Sequence, residues 1–460
     1  MKVSVSWLKE LVAVDLSVEE IAHKLTMAGL EVEEQTPVAA EFEKIVVAEV
    51  KTVAPHPNAD KLRVTQVDAG TGALLQIVCG APNVAVGMRV PCALAGAKLP
   101  GLEIKRATLR GIESNGMLCS ARELGMSDDH IGLLALAPDA PIGQDIRKYL
   151  DLDDVVLTLK MTPNRGDCLS MIGVARDLAA ITGAELRLPR SQAVATNGTQ
   201  QRPVKISAPD ACGQYLGRVI TNIDACATTP EWMRCRLERA GFRSISPLVD
   251  ITNYLTIERG RPMHAFDNDK LVGGIDVRFP KAFESMTLLN AQHIDLQPDM
   301  LLITDENGPV AMGGVMGGLE SSVTESTTNI FFEAAYFNPD AIQGKTRTLG
   351  INSDAAFRFE RGVDPASALD GIEYATELTM AICGTPQTSV GPITMALGVL
   401  PVRAPVKVRR LRLQALIGMS IDHAEILRIF ARLNCKVSEE GKSGAIEVIP
   451  PSYRFDLNIE

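Results

Sequence analysis

The spacing of hydrophobic residues changes several times along the chain, and each change predicts a different kind of element. Near the amino end, Ser17 and Glu20 have the spacing of a capping box. Apolar residues follow at the helical period up to Gly29, so a helix is predicted there. From Ile45 onward, short β-branched runs are broken by proline, asparagine and glycine, which predicts strands. Such a series of strands over roughly 100 residues is typical of a small barrel, and OB-type barrels commonly bind nucleic acid.

Beyond the barrel-like stretch, helical and strand-like patterns are mixed. Apolar residues at helical spacing from Met171 to Gly183 predict one helix. Thr229 followed by Pro230 predicts the N-cap and the first residue of another helix. The segments IDVRFP and NIFFEAAYF predict strands, and CKVSEE-GKSG-AIEVIPP predicts a hairpin. Residues 190–203 lack periodicity and are interpreted as a linker between folded parts.

Composition adds limits on the class of protein. A chain of 460 residues suggests about three domains, and 46% hydrophobic with 22% charged residues favours folded cores. No uncharged apolar run approaches ~18 residues and no signal peptide is recognisable, so neither a membrane span nor secretion is predicted. The nine cysteines form no Cys-x-x-Cys pair, which argues against a zinc knuckle or a disulfide framework. We therefore expect a cytoplasmic protein with reduced thiols and no membrane partner.

Charge is distributed unevenly along the chain. The formal net charge is −10, which does not favour nucleic-acid binding by the chain as a whole. The segment 44–110 nevertheless has nine Lys/Arg against four Asp/Glu, a net charge of +5. A basic module on an acidic chain is the pattern expected where one domain meets phosphates. The alternative, that these side chains form an ordinary solvated surface, stays open at this point.

Few catalytic or ligand-binding motifs can be recognised. The glycines of GGVMGG at 313–318 lack both the Gly-Lys-Ser/Thr ending of a P-loop and the spacing of a dinucleotide fingerprint, so no ATP site is predicted on this chain. His264, in the stretch PMHAF, is one of only six histidines. It could be a metal ligand, a proton carrier, a recognition group or a satisfied core residue. Zinc is disfavoured, because no second histidine or cysteine lies at ligand spacing.

A series of longer motifs carries a resemblance to a known family. In chain order they are HPNADKLRVTQVDAG, QIVCGAPNV, TPNRGDCLSM, SPLVDITNYLTIERGRPMHAFD, MGGVMGG, FFEAAYFNP, FRFERGVDP and PPSYRFD. They extend over nearly the whole chain and keep the order of the family. The chain resembles the amino-terminal portion of the β subunit of bacterial phenylalanyl-tRNA synthetases. Because the sequence ends within a family motif, at PPSYRFDLNIE, we expect it to be truncated at residue 460.

The resemblance implies a multidomain α+β fold. In this interpretation an N-terminal α/β unit comprises residues 1–38 and 149–190, and an OB-type tRNA-binding barrel of residues 39–148 is inserted in it. A mixed α/β editing domain would follow at 204–384, and a partial winged-helix-like domain at 401–460. Within the basic segment of this barrel, the expected tRNA-binding residues are Lys61, Arg63 and Arg106.

The resemblance also implies a function and partners. The family's β subunit assembles with an α subunit as an α2β2 heterotetramer, in which the α subunit uses ATP to attach phenylalanine to tRNA-Phe. The β subunit would bind tRNA and hydrolyse misacylated Tyr-tRNA-Phe, an editing reaction. The competing interpretation is a free-standing RNA-binding or ester-hydrolysing protein with no synthetase partner.

The family's editing pocket can be transferred to individual positions. By resemblance, His264 and Glu333 are the catalytic pair: Glu333 would accept the tyrosine hydroxyl, and His264 would position the ester or a water. The other pocket positions implied are Arg243, Thr252, Asn253, Gly317, Ser353 and Ala355. Where the family often has His-Thr-Asp, this chain has Asn352, Ser353 and Asp354, so the hydroxyl is retained. The alternative for Glu333 is a solvated strand carboxylate, which its apolar neighbours make less attractive.

A magnesium site is implied at the end of the sequence. Asp456 matches the first carboxylate of an Mg²⁺ site that the family places at the subunit boundary. Its partners would lie beyond Glu460, and one carboxylate holds magnesium poorly because the ion keeps most of its water. We therefore expect the residues of this chain to leave that site empty.

Overall fold

The computed structural model describes residues 1–126, 131–440 and 445–460, and the chain folds into two compact units. Residues 35–156 form one unit, and residues 1–34 together with 157–460 form the other. The turn of the predicted hairpin, residues 441–444, lies outside the described residues, whereas both of its arms are described.

The amino end begins with two helices between two strands. The elements are β1 (Lys2–Ser4), α1 (Val5–Leu11), α2 (Val18–Met27) and β2 (Glu31–Pro37). The predicted capping box is confirmed at the start of α2: the Glu20 amide donates to Ser17 Oγ at 3.2 Å, and the Ser17 amide donates to Glu20 Oε2 at 2.8 Å. These two bonds satisfy amides that have no partner within the helix.

The unit of residues 35–156 is built mainly from antiparallel strands. They are β3 (Glu43–His56), β4 (Ala59–Asp68), β5 (Leu75–Cys79), β6 (Arg89–Leu99), β7 (Leu102–Glu103), β8 (Ala107–Leu109), β9 (Ile112–Ser114) and β10 (Gly116–Leu118), followed by helix α3 (Ile146–Tyr149). Five strands pair in the order β10-β6-β3-β4-β5, β7 is added to β6, and β8 pairs with β9. The Val78 amide of β5 donates to Ser114 Oγ at 3.1 Å, and the Asn115 amide donates to the Gln76 carbonyl at 2.8 Å. The two ends of the strand path are thus joined, as a barrel requires, while the OB-type topology stays a prediction.

The other unit continues with β11 (Val155–Lys160) and α4 (Met171–Thr182). Strand β11 pairs between β1 and β2 in a three-stranded sheet. Helix α4 ends at Gly183, whose φ of 73° is left-handed, so the predicted end of this helix is confirmed.

The middle of the chain is organised around two main sheets and the helices that pack against them. The strands are β12 (Val204–Ile206), β13 (Cys212–Thr221), β14 (His264–Asp267), β15 (Ile275–Arg278), β16 (Ser285–Thr287), β17 (His293–Asp295), β18 (Leu302–Thr304), β19 (Pro309–Met312), β20 (Met316–Gly317), β21 (Asn329–Phe337), β22 (Ser389–Val390) and β23 (Thr394–Leu397). The helices are α5 (Glu231–Arg239), α6 (Pro247–Arg259), α7 (Pro339–Ile342), α8 (Lys345–Leu349), α9 (Asp354–Phe359) and α10 (Ala368–Cys383). One sheet has the order β12-β15-β18-β19-β20, the other β14-β21-β13-β22, with β23 also on β13, and β16 pairs with β17.

Strand β21 is buried on both faces, and its two faces have different neighbours. Phe331, Ala335 and Phe337 join a large apolar core with Phe266 of β14 and residues of the other sheet. The alternate positions face helix α10: Arg218 of β13 pairs in register with Phe332 and forms an ion pair at 2.8 Å with Glu373 of that helix. Glu333 therefore belongs to the face that meets the apolar core.

The last part of the chain is small. It contains β24 (Val406–Val408), α11 (Arg410–Ile417), α12 (His423–Arg432), β25 (Lys436–Glu440) and β26 (Ala445–Ile449). Strands β25 and β26 pair antiparallel, which confirms the two arms of the predicted hairpin, and β24 pairs with β26. The winged-helix-like description stays a prediction. Over the part of the chain that the structure covers, no helix is long and apolar enough to cross a membrane.

The predicted N-cap at Thr229 is wrong. Helix α5 begins at Glu231, Pro230 occupies the N-cap position, and no side chain caps the helix. The hydroxyl of Thr229 instead donates to Asp250 Oδ2 at 2.6 Å. The local sequence assigns this hydroxyl to the start of α5, but it is hydrogen-bonded to the buried Asp250 carboxylate of α6.

Candidate functional site

The candidate site is built on the pairing of β14 with β21. In this antiparallel pair, His264 lies directly opposite Glu333, and Phe266 lies opposite Phe331. Residues that are directly opposite in such a pair have their side chains on the same face of the sheet. The structure therefore brings together His264 and Glu333, which are 69 positions apart in sequence.

Glu333 is buried in apolar surroundings. Only 6% of its surface is exposed, and its described hydrogen bond is one accepted by Oε2 from the hydroxyl of Tyr215 at 3.4 Å. Burial disfavours the ionised carboxylate and raises the pKa of Glu333 to about 8, although the Tyr215 hydrogen bond acts in the opposite direction. The carboxyl is thus largely neutral at pH 7, and the alternative of a solvated strand carboxylate is not what the structure shows.

His264 is held between an aromatic ring and a glycine. Its ring meets Phe266 edge-on, with the ring centroids 4.4 Å apart. Its Nε2 is shielded from solvent and has no described hydrogen-bond partner. Burial lowers the pKa of His264 to about 4, so the imidazole is neutral near pH 7. A neutral imidazole with an unpaired buried nitrogen can donate or accept one hydrogen bond to a bound molecule.

Two glycines border these side chains. A Cβ on Gly317 of β20 would lie 2.5 Å from His264 Cε1 and 2.6 Å from Nε2. Gly217 of β13 pairs with Glu333, and a Cβ there would lie 2.2 Å from the ring of Phe331. Neither position accommodates a side chain without movement, so the absence of Cβ atoms lets the sheets approach the carboxyl and the imidazole closely.

Ser353 and Ala355 lie beside this core. The Ser353 hydroxyl donates to the carbonyl of Val315 at 2.5 Å and accepts from the Ala356 amide at 3.2 Å, which caps helix α9. Ala355 packs against the same apolar core as Phe331. The hydroxyl at position 353 therefore fixes α9 to the segment that immediately precedes Gly317.

The remaining predicted pocket residues lie in helix α6 or in the loop before it. Thr252 and Asn253 belong to α6, which packs against α10, and Arg243 is exposed in the preceding loop. Thr252 Oγ1 donates to the Val249 carbonyl of its own helix at 2.8 Å. Among the contacts described for the chain, none joins these three residues to His264 or Glu333.

The three predicted tRNA-binding residues are exposed in the unit of residues 35–156. Lys61 and Arg63 are alternate residues of β4 and are exposed, as is Arg106. Arg63 donates to the carbonyls of Asp60 and Leu62, both at 3.1 Å, and these bonds leave its charge uncompensated. A groove of about 1000 Å³ is lined by Leu62 and Lys105, which are sequence neighbours of these basic residues, and by Arg122.

The residues present do not form a magnesium site at Asp456. Both of its oxygens accept hydrogen bonds from Arg454, at 2.8 and 2.9 Å. Burial opposes ionisation of Asp456, but the guanidinium outweighs it, so its pKa is lowered. Within residues 1–126, 131–440 and 445–460, only Asp167, Cys168 and Asp177 have ligand atoms close enough to share a metal ion. Arg165 already donates to both of those carboxylates, so a cationic side chain fills the position of an ion.

Tyr215 is the site residue that sequence reasoning missed. It is fully buried on β13, two residues before Gly217, and 118 positions separate it from the carboxyl that it contacts. The alternation of QYLGRVIT predicts that Tyr215 and Gly217 share a strand face. Nothing in that local pattern indicates which strand pairs with it.

Three known protein families match separate parts of the chain. A family described as "Putative tRNA binding domain" matches residues 45–145, a B3/4 domain matches residues 211–384, and a tRNA synthetase B5 domain matches residues 406–460. The His264–Glu333 pair lies within the B3/4 match. The exposed basic residues lie within the tRNA-binding match.

Curated relatives match the whole chain. The phenylalanine–tRNA ligase beta subunits of Dechloromonas aromatica and Aromatoleum aromaticum are each 52% identical over 100% of this chain, and that of Thiobacillus denitrificans is 50% identical. The chain spans 57% of the length of the first of these and 58% of the other two. A solved N-terminal fragment of the phenylalanyl-tRNA synthetase beta subunit from Pyrococcus horikoshii is similar at 15% identity and a TM-score of 0.33, covering 66% of this chain and 84% of the fragment. Over its whole length, the chain is therefore similar in sequence to the amino-acid chains of phenylalanine–tRNA ligase beta subunits.

Proposed function

We propose that this chain acts as the β subunit of a cytoplasmic phenylalanine–tRNA ligase, binds tRNA, and hydrolyses Tyr-tRNA-Phe in its B3/4 domain. The names of the relatives support the assignment to the ligase, and the matches to tRNA-binding and B3/4 domains support the two activities. In this proposal an α subunit, as part of an α2β2 assembly, uses ATP to attach phenylalanine to tRNA-Phe. Mg²⁺ would be bound with groups that this chain does not supply.

The observation that carries the editing proposal is the buried carboxyl of Glu333 opposite His264. Its Oε2 already accepts a hydrogen bond from a tyrosine hydroxyl, that of Tyr215. A carboxyl group has acceptor sites on both oxygens, so Oε1 can accept a second hydroxyl. The site therefore has the chemistry needed to recognise the one group by which tyrosine differs from phenylalanine.

A second, hydrogen-bonding site is needed because a pocket built for phenylalanine discriminates weakly. A hydrophobic pocket rejects an isostere that only adds a hydroxyl by roughly 100-fold. A buried acceptor gains a hydrogen bond with the tyrosine ester and remains unpaired with the phenylalanine ester, which reverses the preference. The hydroxyl that the first pocket tolerates is then the group that directs the tyrosyl ester to hydrolysis at the second site.

His264 would act at the ester end of the substrate. Its neutral ring and unpaired Nε2 can hold the ester or a water by one hydrogen bond. In the hydrolysis, water adds to the ester carbonyl carbon, and the bond to the ribose oxygen breaks. The ribose oxygen takes up a proton, and tyrosine leaves as the free amino acid. Because the pKa of His264 is about 4, we assign it positioning of these groups and not proton abstraction.

The proposal is tested by deacylation of purified Tyr-tRNA-Phe and Phe-tRNA-Phe by the chain and its variants. Glu333→Ala should abolish the preference for the tyrosyl ester, because the acceptor for its hydroxyl is gone. At pH 7, where the Glu333 carboxyl is largely neutral, such a hydrogen bond is typically worth ~0.5–1.5 kcal/mol, about 2- to 12-fold in relative rate. His264→Ala should slow both reactions and leave the preference largely intact, because it acts on the ester that both substrates share.

Three results would contradict the proposal or one of its parts. If the wild-type chain deacylates Tyr-tRNA-Phe no faster than Phe-tRNA-Phe, the editing function is wrong. If Glu333→Ala retains the full preference, the hydroxyl is recognised elsewhere. A His264→Ala variant with the wild-type rate would show that this histidine is a core residue.

A further inference from the structure

We infer that Tyr215 is a positioning residue of this site: its hydroxyl holds the Glu333 carboxyl so that the other oxygen can meet the ring hydroxyl of the substrate. The inference rests on the proposed function, because it concerns the residue that recognises the substrate. It assigns a role to a side chain outside the predicted pocket set.

The position of Tyr215 follows from the pairing of β13 with β21. Gly217 lies opposite Glu333 and Tyr215 lies opposite Ala335, so Tyr215 is the diagonal neighbour of Glu333 on the same face. Diagonal neighbours are within reach of long and aromatic side chains. Gly217 has no side chain and the ring of Phe331 packs over it, while the Tyr215 hydroxyl reaches Oε2 of Glu333.

Glu333 depends on this hydroxyl for its orientation. No other hydrogen bond to its side chain is found in the described part of the chain, and Tyr215 itself is fully buried. A buried carboxyl that loses its partner is destabilised and turns toward any other polar group it can reach. Tyr215 therefore selects one orientation of the carboxyl before a substrate is present.

The arrangement also explains how phenylalanine can be disfavoured without leaving the carboxyl wholly unpaired. With a tyrosyl ester, two hydroxyls would bind one carboxyl, one at each oxygen. With a phenylalanyl ester, the Tyr215 bond persists and only the second oxygen loses its donor. Discrimination then depends on one oxygen, whose direction is fixed by the bond to the other.

The protonation of Glu333 provides a readout of this bond. The titratable groups that face the carboxyl are Tyr215 and Cys212 on β13 and His264 on β14, and the buried guanidinium of Arg261 reaches the Ala335 carbonyl on β21. Burial raises the pKa of Glu333, and the Tyr215 hydrogen bond lowers it. Removing the hydroxyl should therefore raise that pKa further.

The experiment compares Tyr215→Phe with the wild-type chain by the ratio of deacylation rates, Tyr-tRNA-Phe over Phe-tRNA-Phe, between pH 6 and pH 9. The ratio cancels the general acceleration of ester hydrolysis by hydroxide. In the wild type it should rise through about pH 8, because the ionised carboxylate is a stronger acceptor for the substrate hydroxyl. In Tyr215→Phe the ratio at pH 8 should fall about 10-fold, and its midpoint should move upward by about one pH unit.

A matched control and a second substitution keep the test decisive. Tyr336→Phe removes a hydroxyl from a buried tyrosine on the opposite face of β21 and should leave both the ratio and the midpoint unchanged. If Tyr215→Phe folds poorly, 3-fluorotyrosine at position 215 keeps the ring and makes the hydroxyl a stronger donor. It should move the midpoint to lower pH, the opposite direction.

The outcomes distinguish this inference from the proposed function. A wild-type chain without preference for the tyrosyl ester overturns the proposed function and this inference with it. A wild-type preference that Glu333→Gln abolishes, combined with an unchanged ratio and midpoint in the Tyr215 variants, overturns the positioning role alone. A lower ratio without a shift of the midpoint also overturns it, since loss of packing is then sufficient.

Discussion

At the scale of the residue, burial acts on two neighbouring groups in opposite directions and leaves both neutral. It raises the pKa of Glu333 to about 8 and lowers that of His264 to about 4. Between these values the pair has no net charge, so an apolar amino-acid ring can approach without the penalty of a buried charge. Recognition then depends on hydrogen bonds whose directions are set by the surrounding sheet.

Gly317 provides a residue-scale prediction. Because a Cβ at this position would lie 2.5 Å from His264 Cε1, Gly317→Ala should displace the imidazole. We expect deacylation of both esters to slow by 10-fold or more, roughly 1.4 kcal/mol in the barrier, with the preference for the tyrosyl ester kept. The measurement is the pair of deacylation rates at pH 7.5.

Gly313 in the same segment offers the matched control for that substitution. A Cβ there meets its nearest atoms, in Leu301, at 3.4 Å, which is ordinary contact. Gly313→Ala should therefore keep near-normal rates. Unchanged rates in Gly317→Ala would show that the imidazole is not confined by this glycine during the reaction.

At the scale of the element, local sequence predicts the start of a helix well only where the capping partners are also local. The Ser17–Glu20 box was predicted and is present, because both members lie within one turn of the same helix. The cap at Thr229 was predicted and is absent, because Asp250, 21 positions away, binds its hydroxyl. The same limit applies to the site. His264 and Glu333 could be proposed from the family resemblance, but the strand pairing that joins them, and the contribution of Tyr215, depend on contacts over 69 and 118 positions.

Strand β4 and the loop around Arg106 provide the element-scale prediction. Lys61, Arg63 and Arg106 are exposed, and neutralising all three should weaken tRNA binding at low salt. If each contacts one phosphate, the slope of log affinity against log salt should decrease by about 2 to 3 in total. Binding is measured by filter retention or fluorescence anisotropy at several salt concentrations.

The control is a basic residue of the same unit that already has a partner. Lys98 forms an ion pair with Glu43 at 2.9 Å, so Lys98→Gln should change the slope much less. An unchanged slope in the triple variant would mean that this surface is solvated and does not meet phosphates.

At the scale of the whole molecule, the chain combines a unit that carries the basic segment 44–110 with a larger unit that contains the candidate editing site. It corresponds to 57% of the length of a phenylalanine–tRNA ligase beta subunit that is 52% identical to it. Its glycine-rich segment at 313–318 is used for close packing around His264 and Phe337, which accounts for glycines that match no nucleotide-binding motif.

The whole-molecule prediction concerns amino-acid activation. Because the sequence contains no recognisable ATP-binding motif, the chain by itself should not catalyse phenylalanine-dependent exchange of pyrophosphate into ATP. Exchange is measured with labelled pyrophosphate against a sample without protein. Exchange above that background, in a preparation free of contaminating ligase, would place the activating site on this chain.

The register of β21 makes the candidate site sensitive to insertions and deletions in that strand. Alternate residues of this strand meet either the apolar core or helix α10, so one residue inserted between Phe331 and Glu333 would turn the carboxyl toward Arg218 and α10. There it would meet a guanidinium, and the protein could stay folded while losing the proposed recognition of the tyrosyl ester. The proposed proofreading would then depend on the number of residues in this strand as much as on their identity. An in-frame insertion or deletion could give a stable variant without it, and scans of single substitutions would never sample that variant.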